Sequence, residues 1–93
     1  DGWVVYKIFG LFKDPHPSWV IEENTTILHE VDTDRRDDCS YGVNCATPKW
    51  VKVNNFGKVI WKGVIPFDAE IVVPYATNGK VRTNKLILLG AIK

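Results

Sequence analysis

The sequence predicts an all-β protein: one small antiparallel β-sandwich or barrel of six to seven strands, a single domain over residues 1–93, with little or no helix. Three observations carry that expectation. Short runs rich in Val, Ile, Trp, Tyr and Phe alternate with clusters of Gly, Pro, Asn and Asp, the pattern of strands and turns. No stretch sustains a 3.6-residue apolar period, so no helix longer than a turn or two is expected. Two turn signals, Asn55-Phe56-Gly57 and Asn78-Gly79, sit between apolar runs as hairpin connections do. With 45% hydrophobic and 25% charged residues, the composition excludes disordered and collagen-like sequence. No apolar run approaches the ~20 residues of a membrane-spanning helix.

Taken in order, residues 3–9 (WVVYKIF) are apolar on both faces, as in a strand covered on each side. Pro15 and Pro17 make residues 13–18 a connection. Trp19-Val20-Ile21 reads as a short second strand and Glu22-Glu23-Asn24 as a turn. Residues 25–31 then place Thr25, Ile27, His29 and Val31 on one face of a third strand. Residues 32–38 form a polar tip that runs into the cysteine loop and Thr47-Pro48. A hairpin of 49–53 and 58–62 follows, pairing Val53 with Val59 and Val51 with Trp61, with Trp50, Lys52, Ile60 and Lys62 on its other face. Residues 63–69 link it to a strand at 71–75. A two-residue type I′ turn at Asn78-Gly79 pairs Thr77 with Lys80, Tyr75 with Arg82, Val73 with Asn84 and Ile71 with Leu86. Pro74 puts that strand at an edge or on a bulge. Residues 85–89 close the chain as a buried strand.

The net charge of +1 averages two unlike halves. Residues 1–48 carry four Lys and Arg against nine acids, for −5, and residues 49–93 carry eight against two, for +6. Either these are ordinary solvated faces, or they are a surface that uses charge to orient a partner. Cys39 and Cys45 enclose a turn-forming Gly42 and Asn44, at a spacing unlike Cys-x-x-Cys. The simplest reading is a short-range disulfide in a secreted domain, a local staple of roughly 2 kcal/mol. Zinc held by Cys39, Cys45, His29 and His16, or two buried thiols, are the alternatives. A chain without methionine that begins at Asp1 reads as a processed or trimmed form, in keeping with secretion. Asn24-Thr25-Thr26 is a glycosylation sequon, with Asn24 as acceptor.

Catalytic motifs are absent: there is no Gly-x-Ser-x-Gly, His-Glu-x-x-His or phosphate-cradling glycine loop, and no cofactor is called for. A small hydrolase built on His29, Glu30 and Arg82 is the remote catalytic alternative. The aspartates at 32–38 lack the order of a calcium loop and have Arg35 and Arg36 as countercharge. The basic second half, interleaved with Trp50, Phe56, Trp61, Phe67 and Tyr75, suits a protein-binding face, a sugar-binding face or a nucleic-acid groove.

The run from Cys45 through Trp50-Val51-Lys52-Val53, the turn at 54–57, Val59-Ile60-Trp61 and residues 63–68 resembles the MAX-effector family of plant-pathogenic fungi. Val4-Val5-Tyr6-Lys7 resembles that family's first strand. The chain departs from the family in having no cysteine before Cys39, and its last hairpin extends past the usual end. The resemblance implies a secreted six-stranded β-sandwich without catalysis, delivered to host cells to bind host proteins such as small heavy-metal-associated domains. The expectation is therefore a secreted, non-catalytic module that binds a protein through edge strands and a Lys/Trp face. The residues assigned to binding are Trp50, Lys52, Ile60, Lys62, Tyr75 and Arg82. Carbohydrate or nucleic acid is the alternative partner.

Overall fold

The computed structural model describes residues 2–10, 15–36, 42–74 and 79–92. Among these are seven strands and one short helix: β1 (Gly2–Lys7), β2 (Thr26–Leu28), β3 (Val43–Ala46), α1 (Pro48–Asn54), β4 (Trp61–Pro66), β5 (Ile71–Val72), β6 (Lys80–Thr83) and β7 (Lys85–Ala91). All strands pair antiparallel in one sheet, ordered β2-β7-β4-β1-β3-β6-β5. The expected small all-β fold is what forms.

The sheet coils. Laid flat, six spacings of ~4.8 Å would hold its edges about 29 Å apart. Yet the chain leaving β2 at one edge meets β5 and β6 at the other within seven residues. Arg35 Nε donates to the Val73 carbonyl, and Arg82 of β6 donates from Nε to the Asp32 carbonyl and from Nη2 to that of Asp34, each at 2.8 Å. Coiling gathers Val5, Ile27, Val43, Cys45, Ile65, Leu86 and Leu88, from five strands, into one buried cluster. Trp19, Ile21, Phe9 and Trp61 pack against it.

β1 and β7 take the expected segments, and both are interior strands of the sheet. β1 is covered on both faces toward its end, Val5 joining the main cluster and Tyr6 packing on the other face with Ile8, Ala46 and Val51 of α1, whereas Trp3 and Val4 at its start are exposed. Residues 19–21 form no strand, because their backbone serves a turn in which Trp19 N–H donates to the His16 carbonyl at 3.0 Å. Within 25–31 the ladder covers only β2, with Ile27 and Val31 buried as the alternation predicts.

Three further expectations fail. The first is the hairpin arm at 49–53, which is the helix α1. Thr47 caps it by accepting a hydrogen bond from Trp50 N–H at 3.4 Å, and Pro48 opens its first turn, where no N–H is needed. Asn54 and Asn55 donate back to the carbonyls of Trp50, Val51 and Lys52, satisfying acceptors that the helix end leaves over. Val51 turns inward onto Ile8 and Ala46 instead of pairing with Trp61, and Val53 and Val59 are exposed. The turn itself is where it was expected, with Lys58 N–H donating to the Asn55 carbonyl at 2.9 Å.

The second concerns the supposed link at 63–69, whose first residues belong to β4, running from Gly2↔Pro66 to Lys7↔Trp61 against β1. β3 likewise occupies what reads in the sequence as a cysteine loop.

The third is the register of the last hairpin. Ile71 pairs with Thr83 and Val72 with Arg82, three residues from the expected pairing of Ile71 with Leu86. Leu86 is fully buried in β7 opposite Ile27 and is not available to β5. Asn78 lies outside the described residues.

Cys45 is a free, buried thiol, so the structure does not contain the expected Cys39–Cys45 bond; Cys39 lies outside the described residues. Burial pushes the Cys45 thiol up to about 11, outweighing the opposing pull of the Lys7 ammonium. Because the thiolate is the reactive form, iodoacetamide at about pH 8 should leave Cys45 unmodified in the native protein and alkylate it on unfolding. Peptide mass mapping reads the result. Rapid native labelling would place the thiol outside the core.

Candidate binding site

The structure scatters the expected Lys/Trp face. Trp50 and Ile60 come together, but as partly buried packing against Ile8, Ala46 and Val51. The Lys80 ammonium lies 5.5 Å from the Trp50 ring centre. Lys52 stands exposed on α1, and Lys62 is half-buried in β4 opposite Tyr6. Tyr75 lies outside the described residues. Arg82 is no surface contact at all: it is fully buried, with its guanidinium turned onto the carbonyls of Asp32 and Asp34. The expected register set Arg82 opposite Tyr75, whereas the actual one pairs it with Val72 and turns its side chain onto the 32–36 segment. That segment is pinned locally as well. Asp34 accepts a side-chain and a backbone hydrogen bond from Arg36, which hold its carboxyl down at about 2.

Asn24 is exposed at the turn before β2, with φ 68° and its N–H donating to the Leu88 carbonyl at 2.8 Å. His16 and His29 lie 5.0 Å apart, ring centre to ring centre, beside Trp19. Neither Glu30 nor Arg82 joins them in a described hydrogen bond, and Arg82 is committed elsewhere.

A different site emerges where the two edges of the coiled sheet approach. Two adjoining depressions of about 550 and 520 Å³ share Thr33 and Glu70 and together make a groove. One wall is Leu28 to Val31 with Thr33, following β2, and the other is Glu70 to Val73, carrying β5. Asn84 bridges the walls: its carbonyl accepts from His29 N–H at 3.0 Å and its side-chain oxygen from Glu70 N–H at 3.0 Å.

Backbone direction matters here. The bonds from His29 N–H to the Asn84 carbonyl and from Leu88 N–H to the Thr25 carbonyl show that odd-numbered residues face β7. In an antiparallel ladder the direction alternates, so Thr26 and Leu28 aim their N–H and C=O groups away from β7. Each edge strand has one hydrogen-bonded neighbour among the described residues. Along the groove, Leu28, Ile71 and Val73 are exposed apolar side chains, and Glu30 and Glu70 are exposed acids.

None of Leu28, Glu70, Ile71 or Val73 is assigned to a site by the sequence, and Glu30 enters there only as part of the remote catalytic alternative. The one local signal is the outward alternation Thr26, Leu28, Glu30, which marks a strand with a wet face but not an unpaired edge. Compared with models of protein families, with curated proteins and with solved structures, the chain matches none.

Proposed function

We propose that this protein is a non-catalytic binding module that takes an extended segment of a protein partner into the groove between β2 and β5. The observation that carries the reading is the outward aim of the Thr26 and Leu28 backbone at an edge strand that borders a groove. Strand addition uses such groups: the main-chain bonds supply affinity and alternate side chains supply specificity. Leu28, Ile71 and Val73 offer apolar contacts, and Glu30 and Glu70 favour basic side chains. The preferred segment therefore alternates apolar residues with Lys or Arg.

Secretion, glycosylation at Asn24 and action on a host protein belong to the same reading. Support for them comes from the exposed sequon and from the resemblance to MAX effectors. A carbohydrate partner has less to recommend it, since Trp50, Trp61 and Trp19 are all partly buried, and the exposed Trp3 stands edge-on to Phe67 at 5.3 Å rather than within a row of open rings.

Selection from a library of displayed extended peptides tests the proposal. Sequences alternating apolar and basic residues should be enriched, and N-methylation at alternate peptide positions should abolish binding. Glu70→Lys should weaken binding by roughly tenfold, as expected for a reversed charge at an interface rim. Absence of enrichment, or binding indifferent to N-methylation, would remove the strand-addition reading.

A further inference from the structure

A second surface, remote in sequence from the groove, surrounds α1. From Cys39 through Phe67 the chain has no Asp or Glu, yet it carries Lys49, Lys52, Lys58 and Lys62. On α1, Val51 faces inward. At 100° per residue, Lys49, Lys52 and Val53 then turn away from the core. Beyond the helix, the turn closed by Lys58 N–H and the Asn55 carbonyl presents Phe56, with Val59 just after it. Val53, Phe56 and Val59 are 73%, 78% and 50% exposed, and Lys49, Lys52 and Lys58 are all exposed around them.

Phe56 is the telling residue. Its φ of 50° lies in the left-handed region that bulky side chains avoid, and its ring gains almost no burial in return. Gly57 next to it shows that the turn accepts glycine. A strained backbone holding an aromatic ring out into water is explained if the ring packs against something outside the molecule.

We propose that the tip formed by α1 and the turn at 55–58 docks on an anionic lipid bilayer, inserting Phe56, Val53 and Val59 at the headgroup boundary while Lys49, Lys52 and Lys58 meet the acidic headgroups. The combination of projecting apolar side chains and exposed lysines, on a stretch of chain without acids, is that of interfacial membrane binding. It fits nucleic acid less well. Base stacking needs several flat aromatic faces, whereas two of the three knobs here are valines and Trp50 lies half-buried beneath Lys80. No helix of the described residues is long and apolar enough to cross a membrane, and docking of this kind requires none. The surface is independent of the groove and of the function proposed for it.

Flotation with vesicles decides the matter. The protein should float with phosphatidylcholine vesicles containing about 30 mol% phosphatidylserine, and at least roughly tenfold less with phosphatidylcholine alone. Each lysine near the surface adds on the order of a fivefold gain in partitioning, so Lys49→Glu with Lys52→Glu should lose tenfold or more. Phe56→Gly should lose about tenfold while its melting temperature equals or exceeds the parent's, because glycine relieves the turn. Glu70→Lys should float as the parent does. Equal binding to both vesicle types, binding to neither, or flotation unaffected by Phe56→Gly would each overturn the proposal. So would retention on a single-stranded oligonucleotide that the double lysine variant loses and Phe56→Gly keeps, in the absence of vesicle binding.

Discussion

Arg82→Met should lower the stability of the fold by roughly 3 kcal/mol, and Arg82→Lys should restore little of it. Arg82 sits on β6 between Asn44 of β3 and Val72 of β5, fully buried. It is the side chain by which one end of the coiled sheet holds the segment leaving the other. Two charge-assisted bonds to the Asp32 and Asp34 carbonyls are lost together, and each is worth about 1.5–3 kcal/mol less what the freed carbonyls regain from water. Methionine leaves no buried charge behind but meets neither carbonyl. Lysine keeps a charge there, and its single ammonium cannot reproduce the fork that spans two acceptors. In a domain of this size a loss of 3 kcal/mol corresponds to a fall of about 12–24 °C in Tm. Urea or thermal unfolding followed by circular dichroism measures it. A change under about 1 kcal/mol for Arg82→Met would mean that the 32–36 segment does not brace the fold.

How far the sequence reveals this arrangement depends on whether the deciding interaction is local. β1 is legible because Trp3-Val4-Val5-Tyr6 is a β-branched and aromatic run, and β7 because Leu86-Ile87-Leu88-Leu89 is a short apolar run bounded by Lys85 and Gly90. The turn at 55–58 is legible from Asn55 and Gly57. The helix before it is harder, since Trp50, Val51 and Val53 read as strand. The capping residues Thr47 and Pro48, which sit outside that run, decide otherwise. β4 is masked by Gly63 and Pro66 at positions that look like a linker. Gly63 and its neighbours nevertheless pair on both sides, with β1 and β7. The register at β5 fails because Asn78-Gly79 suggests the tightest loop, while burial of Arg82, Thr83 and Leu86 requires a longer one. The groove was beyond local reasoning altogether. It joins residues 28–33 to 70–73 through Asn84, and only the strand order places those segments side by side. Charge division was visible early. Of its basic half, Lys49, Lys52 and Lys58 belong to α1 and the turn after it, whereas Arg82 and Lys85 lie elsewhere, and two acids of the groove, Glu30 and Glu70, come from opposite halves of the chain.

Gly42→Ala should cost about 2–4 kcal/mol, and the cost should depend on Arg82. Gly42 has φ 125°, a conformation that side chains rarely adopt, and it is buried where the chain enters β3. A methyl group there would stand 2.8 Å from Val31 Cγ2, 2.9 Å from Arg82 Cγ and 3.2 Å from Val31 Cα. The Arg82 stem cannot swing aside without releasing the Asp32 and Asp34 carbonyls, and those same bonds hold the backbone just after Val31 in place. Strain at Gly42 is therefore resisted by the contact that Arg82 makes, so the two positions are mechanically one. A double-mutant cycle with Arg82→Ala separates this from simple crowding. Removing the stem clears Cγ and loosens Val31, and the double variant should be more stable than the sum of the single losses predicts by roughly 1 kcal/mol. Strict additivity would mean that Gly42 is required for its backbone angle alone. The brace at Arg82 would then have no part in shaping the entry to β3.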